Sequence, residues 1–206
     1  MQRQLTTDEG DDAGSWWSRR CGGREVLLLA LPLMISTMTW SISHFTDRMF
    51  LLWYSPVAMA AAMPAGMAHF AMLCLPLGIA SYVNTFVAQY LGANRPERVG
   101  LAVFAGGRVA LLFTPLFLLS IWIAPALFGA TGHEPDVVVA EVLYFQILAF
   151  GAGPTILAAA FSAFFTGQGR MYTVMWVDGS SSLVNIILNY IFIFGYLGFP
   201  EGGIEG

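Results

Sequence analysis

Five apolar stretches, each reaching the roughly 20 residues that a bilayer-spanning helix needs, constrain this 206-residue chain more than any other feature. A soluble core cannot hide that much hydrocarbon. Only 11% of the residues are charged, against about 25% in soluble domains, and 57% are hydrophobic. The expected fold is all-α and polytopic, with the lipid bilayer as its first partner.

Boundaries follow from breakers and polar loops. The first span runs Glu25–Tyr54 and ends at Ser55-Pro56; it is too long for a signal-peptide core and is expected to be retained. The second, Val57–Tyr90, carries expected kinks at Pro64 and Pro76. A charged loop, Gly92–Arg98, precedes an expected interfacial segment, Val99–Gly107, and a third span, Arg108–Phe128. The fourth, Val137–Phe165, is expected to be interrupted at Gly151, Gly153 and Pro154. A tight turn, Gly167–Met171, leads to the fifth, Tyr172–Tyr196. Residues 1–23 are polar and acidic and read as a disordered tail, with Trp16, Trp17, Arg19, Arg20 and Arg24 as an interfacial anchor. Residues 24–206 form the membrane domain.

All nine basic residues are arginine, and their placement orients the chain. Arg19, Arg20 and Arg24 precede the first span, Arg95 and Arg98 follow the second, and Arg170 follows the fourth. All of these fall on one side. The opposite loops hold Glu134, Asp136, Glu201 and Glu205. The positive-inside rule therefore places the N-terminus in the cytoplasm. The expected location is the plasma membrane, a bacterial inner membrane.

Against this background Asp47 stands out, because an ionisable group inside a span is a functional-site candidate when a partner can be named. Ser36, Ser43 and Asp47 are spaced 0, +7 and +11, which puts them within about 40° on one helix face. Asp178, Asn185 and Asn189 repeat that spacing on the fifth span. Two such stripes are expected to face one cavity. Asp47 and Asn189 each lie seven residues from the same-side end of their helix, ~10 Å deep, with Asn185 one turn deeper. A carboxylate with two amide oxygens suits a proton or Na⁺, a hard cation that prefers oxygen. Asp47, Asn185 and Asn189 are thus the candidate cation site.

Plainer readings stand beside this one. Asn185 and Asn189 read equally well as interhelical hydrogen-bonding groups. An Asp47–Arg48 pair is disfavoured, since successive helical residues do not face each other. Asp178 reads as structural, Glu141 as interfacial, Arg108 as snorkelling, His69 as a satisfied packing residue and Cys74 as a small buried hydrophobe. Cys21 and Cys74 suggest no disulfide or metal site. No nucleophile–base order, zinc motif or phosphate loop is present, and no basic face for nucleic acid, so the chain reads as neither an enzyme nor a nucleic-acid binder.

An ordered set of stretches resembles the multidrug and toxic compound extrusion (MATE) transporters. These are ALPLMIS at Ala30–Ser36, the D-x-x-F context of Asp47, PLGIASYVNTFVAQYLGA at Pro76–Ala93, FFTGQGR at Phe164–Arg170, NIILNYIFIFG at Asn185–Gly195, and the closing GFPEGGIEG. The resemblance implies two six-helix bundles and a cation-coupled antiporter (H⁺ or Na⁺, with no cofactor). Such a transporter exports organic, often cationic, amphiphiles by alternating access. It implies that Asp47 matches the family's helix 1 acid, and that Asn185 and Asn189 match paired polar positions of helix 5. In some members the second of these is Asp. It further implies that these five helices form most of one six-helix bundle. The chain is then an N-terminal fragment that stops before helix 6 and lacks its C-terminal partner bundle. A lipid-linked oligosaccharide flippase of the same superfamily, or a non-transporting membrane scaffold, are the alternatives.

Overall fold

The computed structural model describes residues 17, 22–195 and 202–205. The expectations of a disordered tail and of an interfacial anchor fall almost wholly outside them. Six α-helices follow one another: α1 (Gly23–Tyr54), α2 (Pro56–Ser81), α3 (Val83–Gly92), α4 (Val99–Gly129), α5 (Pro135–Gly167) and α6 (Met171–Phe194). Among the described residues there is no strand. Five segments are long and apolar enough to cross a membrane, α2 and α3 counting as one. Side chains such as Trp122, Leu111 and Phe104 stand more than 70% exposed. Apolar patches of that extent are untenable in water and are at home in lipid, so this is a multi-pass membrane protein.

The connection from α1 to α2 is a single residue. Ser55 ends α1, and its side chain accepts a hydrogen bond from Val57 N at 3.2 Å, capping α2 with Pro56 in the first turn.

The second span, expected to be one helix, breaks at Tyr82, and Pro64 and Pro76 both lie inside α2. Ser81 Oγ donates to Gly78 O at 2.7 Å, and Tyr82 N bonds to Ile79 O at 3.2 Å. The i→i−3 bond of Tyr82 N tightens the last turn of α2 at this break.

Two further expectations are corrected. The segment Val99–Gly107 is not a separate interfacial piece but the first third of a continuous α4. Likewise α5 passes uninterrupted through Gly151, Gly153 and Pro154. Packing explains both. A Cβ on Gly106 would sit 2.7 Å from Ala160 Cβ and 2.8 Å from Val83 Cγ2, and one on Gly167 would meet Asn84 O at 2.7 Å. Gly153 abuts the Thr114 side chain in the same way. These glycines are what let α3, α4 and α5 approach closely, and the gain in packing overrides their weak helix propensity.

The core is built around α5. Its buried side, including Phe145, Ala149, Ala152, Ile156 and Ala160, packs against α2, α3 and α4. In contrast, α6 packs chiefly on α1. The junction is closed by Phe50, Leu51, Ala58, Ala62 and Ile193, with Tyr144 of α5 set against them. A short turn, Gly203–Glu205, seats beside Tyr54 at this end and is tied by Gly202 N to Phe192 O at 2.9 Å.

Two residues sit differently from their sequence reading. Cys74 is exposed, because the packed face of α2 runs through Leu73, Pro76 and Ala80, and position 74 points away from it. Glu141, read as interfacial, is fully buried. It holds its place through His133, in the loop before α5, whose Nδ1 lies 2.7 Å from Glu141 Oε1.

Candidate functional site: the seam between α1 and α6

Helices α1 and α6 run parallel. Two polar residues of α1 each meet the residue 142 positions later on α6: Ser43 with Asn185 and Asp47 with Asn189. A constant difference in residue number is the signature of parallel strands of chain, and the matched spacing of the two stripes turns this into a ladder of rungs.

The rung nearest Ser55 is the tightest. Asn189 Nδ2 donates to Asp47 Oδ1 at 2.6 Å, in the range of charge-assisted bonds. The same amide nitrogen donates to Asn185 Oδ1 at 3.3 Å. In the next rung Ser43 Oγ donates to Asn185 Oδ1 at 3.3 Å. Ser182 Oγ then donates to Ser43 Oγ at 3.0 Å, with Thr39 O as a second acceptor at 3.5 Å. One continuous network therefore runs from Asp47 through Asn189, Asn185 and Ser43 to Ser182. The three sequence-predicted residues are brought together, and Asp47 is half-buried.

Arg48 is not the partner of Asp47. Its guanidinium donates to the Met63 sulfur on α2, as expected when adjacent residues point in different directions.

The ladder lines a cavity of about 540 Å³. Ser36, Trp40, Ser43, His44 and Asp47 contribute from α1, and Asp178, Ser181, Ser182 and Asn185 from α6. The Trp40 and His44 rings meet edge to face at 4.6 Å on its wall. No arginine lines it. Asp178, read from sequence as structural, faces this cavity. It makes no hydrogen bond or ion pair to the described residues.

Sequence reasoning missed Tyr144. It packs at the junction of Phe50, Ile193 and Phe194, close enough to feel the charges of both Asp47 and Arg48. Its only signal was a hydroxyl-bearing ring three residues after Glu141, on the same side of the helix start. His69 is buried between Phe117 and Phe145, at ring distances of 5.6 and 6.2 Å, which fits a packing role, but it is not satisfied as expected, because its buried Nδ1 has no partner. Among the described residues no group of His, Cys, Asp and Glu could hold a metal through three such ligands. An alkali cation on one carboxylate and amide oxygens is a different donor set.

The MatE family model matches residues 32–191, most of the chain and all of the ladder. The chain belongs to the MatE family. Similar to it is a probable multidrug resistance protein NorM of Synechocystis sp., 28% identical over 183 residues, covering 89% of this chain and 40% of that protein. The multidrug resistance protein PmpM of Pseudomonas aeruginosa is also 28% identical, over 184 residues, covering 89% and 39%. The fold matches an outward-facing multidrug resistance MATE family transporter of the MOP superfamily, with TM-score 0.75, 21% identity and coverage of 87% of this chain and 39% of that one. A MOP superfamily transporter from Pyrococcus furiosus matches equally, at TM-score 0.75. The MatE chain described here spans about 40% of the length of the curated relatives it matches.

Proposed function

We propose that this MatE chain is part of a cation-coupled antiporter that exports organic, often cationic, amphiphiles by alternating access. Asp47, Asn185 and Asn189 form its coupling site for H⁺ or Na⁺. The membrane is a bacterial inner membrane, with the N-terminus cytoplasmic and the Ser55 end outside. Residues 24–206 work as the first five helices of one bundle, against a second bundle facing the seam.

The observation that carries the reading is the 2.6 Å bond between Asn189 and Asp47 at the head of a polar network that lines a cavity. A bare carboxylate accepts from Asn189. A protonated one has a hydrogen of its own to give, and a bound Na⁺ competes for the same oxygens of Asp47 and Asn185. Either event rewrites the bonds that join α1 to α6. An ion arriving here thereby biases how the two helices sit against each other, which is what coupling requires.

The cavity's chemistry favours cations over the anionic pyrophosphate of a lipid-linked sugar: it holds two carboxylates and no arginine. A cavity with unsatisfied polar groups also speaks against a plain scaffold.

The test uses the complete reading frame that carries this chain, in an efflux-deficient bacterium. Asp47→Asn should abolish export of a fluorescent organic cation while protein level in the membrane is preserved. Unchanged export by that variant would remove Asp47 from the mechanism. Collapsing the proton gradient and the Na⁺ gradient separately identifies the coupling ion.

A further inference from the structure

Two rungs of the ladder are closed by direct bonds. Asp47 is bonded to Asn189 and Ser43 to Asn185, each pair 142 residues apart. Ser36 and Asp178, the remaining members of the two 0, +7, +11 stripes, have the same separation, and no bond joins them. Both line the cavity. Ser36 is only 9% exposed, yet its Oγ has no hydrogen-bond partner. Asp178 is half-buried and makes no hydrogen bond or ion pair to the described residues.

That combination is costly without an occupant. A buried hydroxyl left unsatisfied has lost its water without a replacement bond. The Asp178 carboxylate has no counter-charge among the described residues. The closed rungs show that this spacing permits direct bonding between the helices. At the open rung a hydroxyl and a carboxylate are instead left unbonded to each other beside the cavity.

Resting on the antiporter reading above, we infer that the Ser36–Asp178 rung receives the positively charged head of the exported substrate, separate from the ion site at Asp47. The two carboxylates are 11 residues apart in register on each helix, or about 16 Å along the seam. One cation therefore cannot neutralise both. The charge at the Asp47 end is already engaged by Asn189, whereas Asp178 is free. Trp40, one turn above Ser36 on α1, offers its ring to the organic cation, as indoles do for alkylated or delocalised positive groups. Ser36 supplies a hydroxyl that can turn its oxygen toward the head. The substrate class is a bulky monocation whose apolar body lies along the 540 Å³ cavity.

The experiment measures binding to the complete protein in lipid nanodiscs, with tetraphenylphosphonium as the cation and triphenylphosphine oxide as its neutral control. Asp178→Asn should weaken tetraphenylphosphonium about tenfold, a change of about 1.4 kcal/mol, and leave the neutral probe unchanged. Asp178→Glu, which keeps the charge, should stay within about threefold of the parent. Three results overturn the inference. The first is tetraphenylphosphonium binding that Asp178→Asn leaves intact. The second is an equal loss of both probes in both variants, which marks Asp178 as holding the cavity's shape. The third is a parent protein that binds no tetraphenylphosphonium. A charge-selective loss in Asp47→Asn, with none in Asp178→Asn, moves the substrate head to the closed rung and leaves the coupling role of Asp47 standing. Failure of the antiporter reading is seen separately, as export that survives Asp47→Asn.

Discussion

Two adjacent glycines in α4 should respond to the same substitution with opposite signs. A Cβ on Gly106 would lie 2.7 Å from Ala160 Cβ and 2.8 Å from Val83 Cγ2. Carbon atoms rest at about 3.5–4.0 Å, so the neighbours must yield by roughly 1 Å. Neither has an easy retreat: Ala160 is 1% exposed and its Cβ is fixed to the backbone of α5, and Val83 is 3% exposed. Overpacking of this kind costs about 1–3 kcal/mol, offset by about 0.8–1 kcal/mol of improved helix propensity. Gly106→Ala should therefore lose about 1 kcal/mol net. At Gly107 the nearest atom to a new Cβ is Leu157 Cδ1, at 3.8 Å. That is ordinary contact, so Gly107→Ala should gain up to about 1 kcal/mol. The assay is reversible unfolding of the protein in mixed micelles with increasing denaturing detergent, followed by helical circular dichroism. Adding Ala160→Gly to Gly106→Ala removes the 2.7 Å clash and should recover part of the loss, a coupling that a double-mutant cycle reads directly. If Gly106→Ala proves as stable as Gly107→Ala, close packing is not what keeps α4 continuous.

The same unfolding assay reaches two other parts of the molecule. Asn189→Leu takes the 2.6 Å donor from a half-buried Asp47 and should cost about 1–3 kcal/mol; adding Asp47→Leu should then cost little more, because the stranded acceptor is gone. His133→Ala leaves the fully buried Glu141 carboxylate with neither oxygen bonded, again about 1–3 kcal/mol, and Glu141→Leu in that background should restore much of it. A His133→Ala protein as stable as its parent would mean that Glu141 finds another partner.

Where the sequence was readable, the signal was repetition along a single helix. The run of hydrocarbon between Ser55 and Gly92, or between Arg98 and Gly129, needs no knowledge of neighbours to be recognised as membrane-spanning. The 0, +7, +11 stripes on α1 and α6 likewise carry their own geometry. The mating of Asp47 with Asn189 followed once both stripes were given one cavity and one depth. What was unreadable depended on other helices. Gly106–Gly107 looks like a helix breaker until Ala160 and Val83 fill the space beside it. Glu141 looks interfacial by its distance from the end of α5, and its burial is decided by His133 from the loop and by apolar neighbours on other helices. The break at Tyr82 falls in a run, Ile79–Val83, that carries neither proline nor glycine, so no local breaker marks it.

The bundle is held together by two different kinds of force, and the difference bears on which part can move. Helices α3, α4 and α5 meet through glycine and alanine at near-contact backbone distance, where a shift of an ångström produces overlap or a void. Between α1 and α6, the middle of the seam is joined by side-chain hydrogen bonds among Ser, Asn and Asp, with a cavity alongside. Such bonds exchange partners at modest cost, because each hydroxyl or amide that leaves one acceptor finds another a turn away. Apolar closure is seen at the Ser55 end, at Phe50, Tyr190 and Phe194. The α1–α6 pair is thus clamped at one end and held along its middle by replaceable bonds. On the antiporter reading proposed above, an ion or substrate that changes those bonds would act on the joint held by replaceable bonds, with α2 to α5 as the surface the pair works against.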